Sequence, residues 1–150
     1  MKISTQGRYG LRALVDLATN KNSGAIPLRE ISSREDISER YLEQLFAKLR
    51  KAGIVRSVRG AHGGYLINHS LEEITVGDII RVLEGSIVPV ECVNDDVEDC
   101  ERSSSCVAQE VWRELKNQVD DYLDSITLLD LKERAEELNL KNDQGYMYYI

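Results

Sequence analysis

Residues 28–53 read LREISSREDISERYLEQLFAKLRKAG, and the fold turns on them. Leu28 and Ile31 mark the buried side of a short helix running to about Arg34. Glu35 and Asp36 lead to Ser38, whose hydroxyl suits the N-cap of a second helix. In that helix Leu42, Leu45, Phe46 and Leu49 recur at helical spacing, and Gly53 stops it. Two helices joined by a tight turn, the second rich in polar side chains, predict a helix-turn-helix over about residues 28–51. Directly beyond it, Ile54–Arg59 and Tyr65–Ile67 are β-prone and flank Gly60-Ala61-His62-Gly63-Gly64. They predict a hairpin over about 54–68, and a hairpin in that place is a wing.

Upstream, Leu11, Leu14, Val15 and Ala18 recur at helical spacing from Thr5 to about Asn20, while Arg8, Arg12 and Asp16 face elsewhere. Asn20 to Pro27 reads as a loop around Ser23-Gly24. Downstream, Thr75-Val76-Gly77-Asp78 has capping-box spacing and opens a helix through Ile79, Ile80, Val82 and Leu83. Gly85 to about Ser105 is a long loop, and Pro89 with the acidic run after it marks the one internal boundary. Val107, Val111, Leu115, Val119, Leu123 and Ile126 then form a long apolar stripe, with Trp112 and Tyr122 beside it. Thr127-Leu128-Leu129-Asp130 opens a last helix with a second box-like cap, and the tail Gly145–Ile150 is too apolar to be left in water. The expected class is mainly α with a small β-hairpin wing. Residues 1–70 would form a winged helix-turn-helix domain. Residues 71–150 would supply a linker helix, a cysteine loop (92–106), a dimerisation helix (about 106–126) and the C-terminal tail.

The 150 residues, 42% of them hydrophobic, suffice for one sizeable core. The net charge of −7 argues against a DNA partner until it is resolved along the chain. Residues 1–70 carry twelve basic and six acidic side chains, a surplus of +6; residues 71–150 carry seven and twenty, a balance of −13. A basic half joined to an acidic half suggests a polyanion-binding front and a back with another task. No apolar run approaches the roughly 18 residues of a membrane span, and Met1-Lys2-Ile3-Ser4 opens no signal-peptide core. A cytoplasmic protein without membrane partners is expected. No serine–histidine–acid set, phosphate loop or paired-carboxylate pattern is present, and His62 and His69 are too few to found a catalytic centre. An enzyme is not expected.

The second helix of the motif displays Glu39, Arg40, Tyr41, Glu43, Gln44, Lys48 and Arg50. Arg40 and Gln44 stand one turn apart, and both residue types bond base edges in the major groove. Such a face is ordinarily just solvated; its place between a short helix and a wing in the basic half favours DNA. The expected roles are base reading for Arg40, Tyr41 and Gln44, and phosphate contact for Lys48 and Arg50. Glu43 would be repelled by phosphate but can accept from cytosine, acting as a filter. Arg56 and Arg59 flank the wing, where an Arg can enter a narrow minor groove. Gly60 and His62 lie at its tip, His62 as a phosphate neighbour rather than a metal ligand. Gly63 and Gly64 suit either tight hairpin geometry or close approach of backbone to DNA.

Cys92, Cys100 and Cys106 lie within fifteen positions, seven residues separating the first pair and five the second. In a reducing compartment an odd cluster of this kind points to metal or redox chemistry rather than a structural disulfide. Thiolates are the usual ligands of iron–sulfur clusters and of zinc, but zinc sites favour shorter Cys-x-x-Cys turns, which are absent. Asp95, Asp96, Glu98, Asp99 and Glu101 crowd the segment. They would discourage bare thiolates, and a cationic iron centre would offset that repulsion. The stripe from Val107 to Ile126 spans about five turns, too long to be covered locally, so Val111, Leu115, Val119 and Leu123 are expected at an intersubunit interface.

Several of these stretches resemble the bacterial IscR-like (Rrf-type) winged-helix regulators: Lys2–Gly10, Tyr41–Phe46, Val58–Tyr65, Thr75–Ile80, the three cysteines and Trp112-Arg113. The resemblance covers about residues 1–131 and is highly specific. It implies a homodimeric transcription factor, repressors included, that binds a double-stranded operator. In the IscR branch it implies a [2Fe–2S] cluster on three cysteines and a histidine, placed near the recognition helix. The histidine's position, three residues after the third cysteine, is Gln109 here, and the spacing between the first two cysteines is longer than in that branch. An amide oxygen is a weak donor to iron, so the implied cluster is labile and easily lost in air. The tail Tyr146–Ile150 is similar to that of the CymR branch, which lacks the cysteines and works with a cysteine-metabolism enzyme as partner. The nitric-oxide-sensing branch also uses three cysteines. The implied targets are genes of cluster assembly or cysteine supply.

Overall fold

A computed structural model describes residues 1–98 and 100–147, with side chains to residue 143. Asp99 and the end of the tail, Tyr148, Tyr149 and Ile150, lie outside the described residues. The elements are helices α1 (Thr5–Thr19), α2 (Leu28–Glu35) and α3 (Glu39–Lys51), strands β1 (Val55–Val58) and β2 (Gly64–Ile67), and helices α4 (Val76–Glu84), α5 (Val107–Asp124) and α6 (Leu128–Met147). Short 3-10 turns interrupt the loops at Lys21–Ser23 and Glu91–Val93.

Local chemistry sets the helix starts. Ser4 caps α1, Ser38 caps α3 by accepting from the Tyr41 amide at 3.2 Å, and Thr75 and Asp78 exchange both bonds of a capping box on α4. Thr127 and Asp130 make the same exchange at the start of α6. Between α2 and α3, Asp36 adopts a left-handed conformation (φ 53°) that turns the chain sharply enough to set α3 against α2.

Leu14, Leu17, Ile31, Leu42, Leu45, Phe46 and Leu49 close the core of the three-helix unit. That core does not end at residue 70: Leu71, Ile74, Ile79, Leu83 and Leu128 belong to it, so α4 and the first turn of α6 complete it. Asp16 departs from its expected outward position. It is buried, and Arg34 of α2 grips both of its oxygens at 2.8 Å, satisfying the carboxylate and pinning α2 to α1.

The wing pairs antiparallel in the register Val55↔Ile67 to Val58↔Gly64. Ile26 adds a single bridge to Tyr65, with amide–carbonyl bonds of 3.0 and 2.9 Å. This decides the role of two glycines. A β-carbon on Gly64 would lie 2.3 Å from the Ile26 backbone, and one on Gly63 would lie 2.4 Å from the Val58 carbonyl oxygen. Both are required by packing within the chain.

The stripe on α5 divides along its length. Val119 and Leu123 pack with Ile126 against Val76, Ile80 and Ile87 of the same chain. Val107, Val111, Leu115 and Tyr122 stay exposed. Val119 and Leu123, expected at a subunit interface, are thus covered at least in part by their own α4. The reason is the break after Gly85, which lets α5 fold back along that helix. Among the described residues no helix is long and apolar enough to cross a membrane.

Candidate nucleic-acid interface and cysteine loop

Helix α3 buries Leu42, Leu45, Phe46 and Leu49, which leaves Arg40, Glu43, Gln44, Lys48 and Lys51 outward. Arg40, Gln44 and Lys51 follow one another at four and seven residues and therefore share the crest of that surface. Lys51 was not among the sequence candidates, although its spacing from Gln44 carries the signal. Arg50 and Glu43 occupy one flank. Tyr41 and Lys48, seven apart, occupy the other, which faces α1. Tyr41 is half-buried, its ring edge-on to Tyr9 at 6.1 Å between centroids, and Lys48 donates from Nζ to the Gln6 side-chain oxygen at 2.5 Å. Tyr9 in turn lies beneath the guanidinium groups of Arg12 and Arg8, at 5.2 and 5.9 Å. The first turns of α1 thus join the surface, and nothing in the spacing of α3 announces Gln6.

Arg56 and Arg59 are exposed on the wing, and His62 is exposed at its tip. Gly60 (φ 111°) takes a backbone form that side chains rarely adopt, with open space around it. An exposed α3 crest beside a short wing, both in the +6 half, is the arrangement by which a helix enters a major groove while a hairpin follows the backbone or adjacent minor groove.

The start of α1 is held from behind. The Glu84 carboxylate of α4 accepts from the Ser4 amide at 2.6 Å and the Gly7 amide at 3.2 Å. A carboxylate at a helix N-terminus satisfies orphan amides and complements the dipole. It also fixes where Gln6 meets Lys48.

In the cysteine loop, Cys92 and Cys106 are half-buried and Cys100 is exposed. Cys106 is the N-cap residue of α5. Gln109 is only 5% exposed, and its side-chain nitrogen donates to the Cys92 carbonyl oxygen at 2.9 Å. Lys116 pairs with Asp95 of the loop at 3.0 Å and with Asp120 at 3.1 Å, and these two acceptors raise its pKa. Arg81 of α4 binds Asp124 through both nitrogens at 2.8 Å and reaches Asp120 at 3.5 Å. In kind, three thiols suit a [2Fe–2S] centre. In place, no three Cys, His, Asp or Glu side chains converge on a common point among the described residues.

The profile of the Rrf2 family, described as iron-dependent transcriptional regulators, matches residues 3–134. The chain belongs to the Rrf2 family. It is 44% identical over 150 residues to the transcriptional regulator CymR of Bacillus subtilis, covering all of both chains. It is 40% identical over 144 residues to IscR of Pectobacterium atrosepticum, covering 96% of this chain and 87% of that one. Among solved structures, B. subtilis CymR, the global cysteine regulator of that organism, superposes with a TM-score of 0.75 at 46% identity, over 89% of this chain and 98% of the other. IscR of T. potens superposes at 0.76 and 46% identity, over 99% and 97%. This Rrf2 chain is therefore a winged-helix transcriptional regulator of the CymR and IscR type.

Proposed function

We propose that this Rrf2 regulator works in the cytoplasm as a homodimer on a near-palindromic operator, and that the state of its cysteine loop sets its DNA affinity. The exposed crest of α3 beside the wing carries the reading. Arg40 and Gln44 bond base edges, Tyr41 contacts them from the α1 side, and Glu43 selects against wrong bases. Lys48, Arg50, Lys51 and Arg56 neutralise phosphates and His62 at the wing tip lies beside one, while Gly60 lets that tip approach and Arg59 enters the minor groove. The exposed row Val107, Val111, Leu115 and Tyr122 on α5 meets the same row of a second copy.

Cys92, Cys100 and Cys106 would hold the [2Fe–2S] group that the IscR relatives suggest. When bound, such a group supplies one-electron redox chemistry and sensitivity to oxidants. The residues of this chain supply the thiols, an acidic surround and a loop anchored to α5. The likeness to CymR supports a second reading, in which a cysteine-metabolism enzyme is the sensed partner. The visible spectrum of protein purified without air separates the two. Absorption that Cys→Ala changes abolish supports the cluster. A colourless protein that binds no iron on anaerobic reconstitution, and regulates unchanged with all three cysteines replaced, supports the enzyme partner.

A further inference from the structure

Gln109 touches both ends of the cysteine loop. Its main-chain N–H donates to the Cys106 carbonyl oxygen at 3.2 Å, and its side-chain nitrogen donates to the Cys92 carbonyl oxygen at 2.9 Å. One residue thus ties the first and third cysteines to the first turn of α5. The residue is 5% exposed, so the hydrogen bond is shielded from water and the buried amide would lose a partner if the loop lifted. Val93, next to Cys92, is buried as well. Two turns further along α5, the side chain of Lys116, 13% exposed, holds Asp95 of the same limb. The limb 92–95 is therefore clamped at both ends, whereas Cys100 is exposed.

We propose that Gln109 is a positioning residue of the cysteine site: its amide fixes Cys92 beside Cys106 before any group binds, and Lys116 fixes the far end of the limb. The role rests on the reading of the loop as the sensing element. Gln109 acts through Cys92, its nitrogen being engaged by a main-chain carbonyl. The main chain at two of the three cysteines is thereby held to the first turn of α5.

The test is residue-resolved alkylation of the reduced, metal-free protein by N-ethylmaleimide, read by mass spectrometry. Gln109→Met keeps the length and burial of the side chain, adds no charge and removes the donor. It should raise the labelling rate of Cys92 about three- to tenfold, the range that one hydrogen bond of ordinary net strength controls, and leave Cys100 unchanged. Lys116→Gln should raise the Cys92 rate from the other end of the limb, and hydrogen exchange over residues 91–96 should quicken in both variants. Unchanged Cys92 labelling in Gln109→Met overturns the proposal, whether or not the parent takes up iron. Faster Cys92 labelling in a protein that takes up no iron upholds the positioning role and removes the cluster instead.

Discussion

Leu83 of α4 lies over Gly10 of α1 so closely that a β-carbon at residue 10 would stand 2.2 Å from Leu83 Cδ1. Both residues are buried, and Leu83 belongs to the main core. Close approach here is what lets Glu84, one residue on, reach the amides of Ser4 and Gly7.

Gly10→Ala should therefore destabilise the protein despite the better helix propensity of alanine. Overpacking costs about 1–3 kcal/mol, against a helix gain of about 1. The double variant Gly10→Ala/Leu83→Ala should lose less stability in urea unfolding than the two single losses combined, because the truncation removes the clash. Strict additivity would mean that the helices separate at no cost.

For DNA recognition, Gln44→Ala should relax base preference at one position per half-site by about 1–3 kcal/mol. Lys48→Ala should weaken all sequences alike and flatten the salt dependence by about one unit. Gln6→Ala should weaken binding on all sequences less than Lys48→Ala and leave the salt dependence nearly unchanged, since the ammonium group keeps its charge and loses only the partner that positions it. Binding titrations on operator and random duplexes at several salt concentrations distinguish the cases. Equal loss on both duplexes for Gln44→Ala would remove its base-reading role.

The divided stripe on α5 makes two substitutions diverge. Leu115 is 37% exposed and Val111 57%, whereas Val119 packs against α4. Leu115→Glu should give a folded monomer that no longer footprints two half-sites about 34 Å apart. Val119→Ala should lower the unfolding free energy by about 0.5–2 kcal/mol and leave the protein dimeric. Sedimentation and chemical unfolding read the two effects separately; a dimeric Leu115→Glu protein would place the interface elsewhere.

The Arg81 guanidinium, hydrogen-bonded through both nitrogens to Asp124, holds that carboxyl below its ordinary value of 3.8. Because the folded pKa is the lower one, the pair contributes stability that is complete above the unfolded value and lost as pH falls through the folded one. Both side chains are well exposed, so the coupling from an Arg81→Gln/Asp124→Asn cycle at neutral pH should be only about 0.3–1 kcal/mol. It should shrink toward zero as the pH falls through the carboxyl's lowered folded value. A coupling independent of pH would show that the carboxylate charge is not its source.

What could be read from the sequence alone depends on neighbours within one or two turns. Ser38, the Thr75–Asp78 box and the Thr127–Asp130 pair each bind a main-chain amide three residues away, so their geometry follows from spacing. The apolar period of α3, with the glycine-flanked β-prone runs after it, likewise sufficed for the helix-turn-helix and the wing, and hence for the outward crest of Arg40 and Gln44. Pairs remote in sequence were decided only by the tertiary structure. Gln109 meets Cys92 across 17 positions, Lys48 meets Gln6 across 42, and Ser4 meets Glu84 across 80. An apolar stripe specifies that α5 must be covered, but not by what; the turn after Gly85 assigns Val119 and Leu123 to α4 and leaves Val111 and Leu115 open. A buried amide shows the same limit. Gln109 has the composition of a surface residue, and only the approach of a distant carbonyl gives its nitrogen a partner and makes its burial affordable.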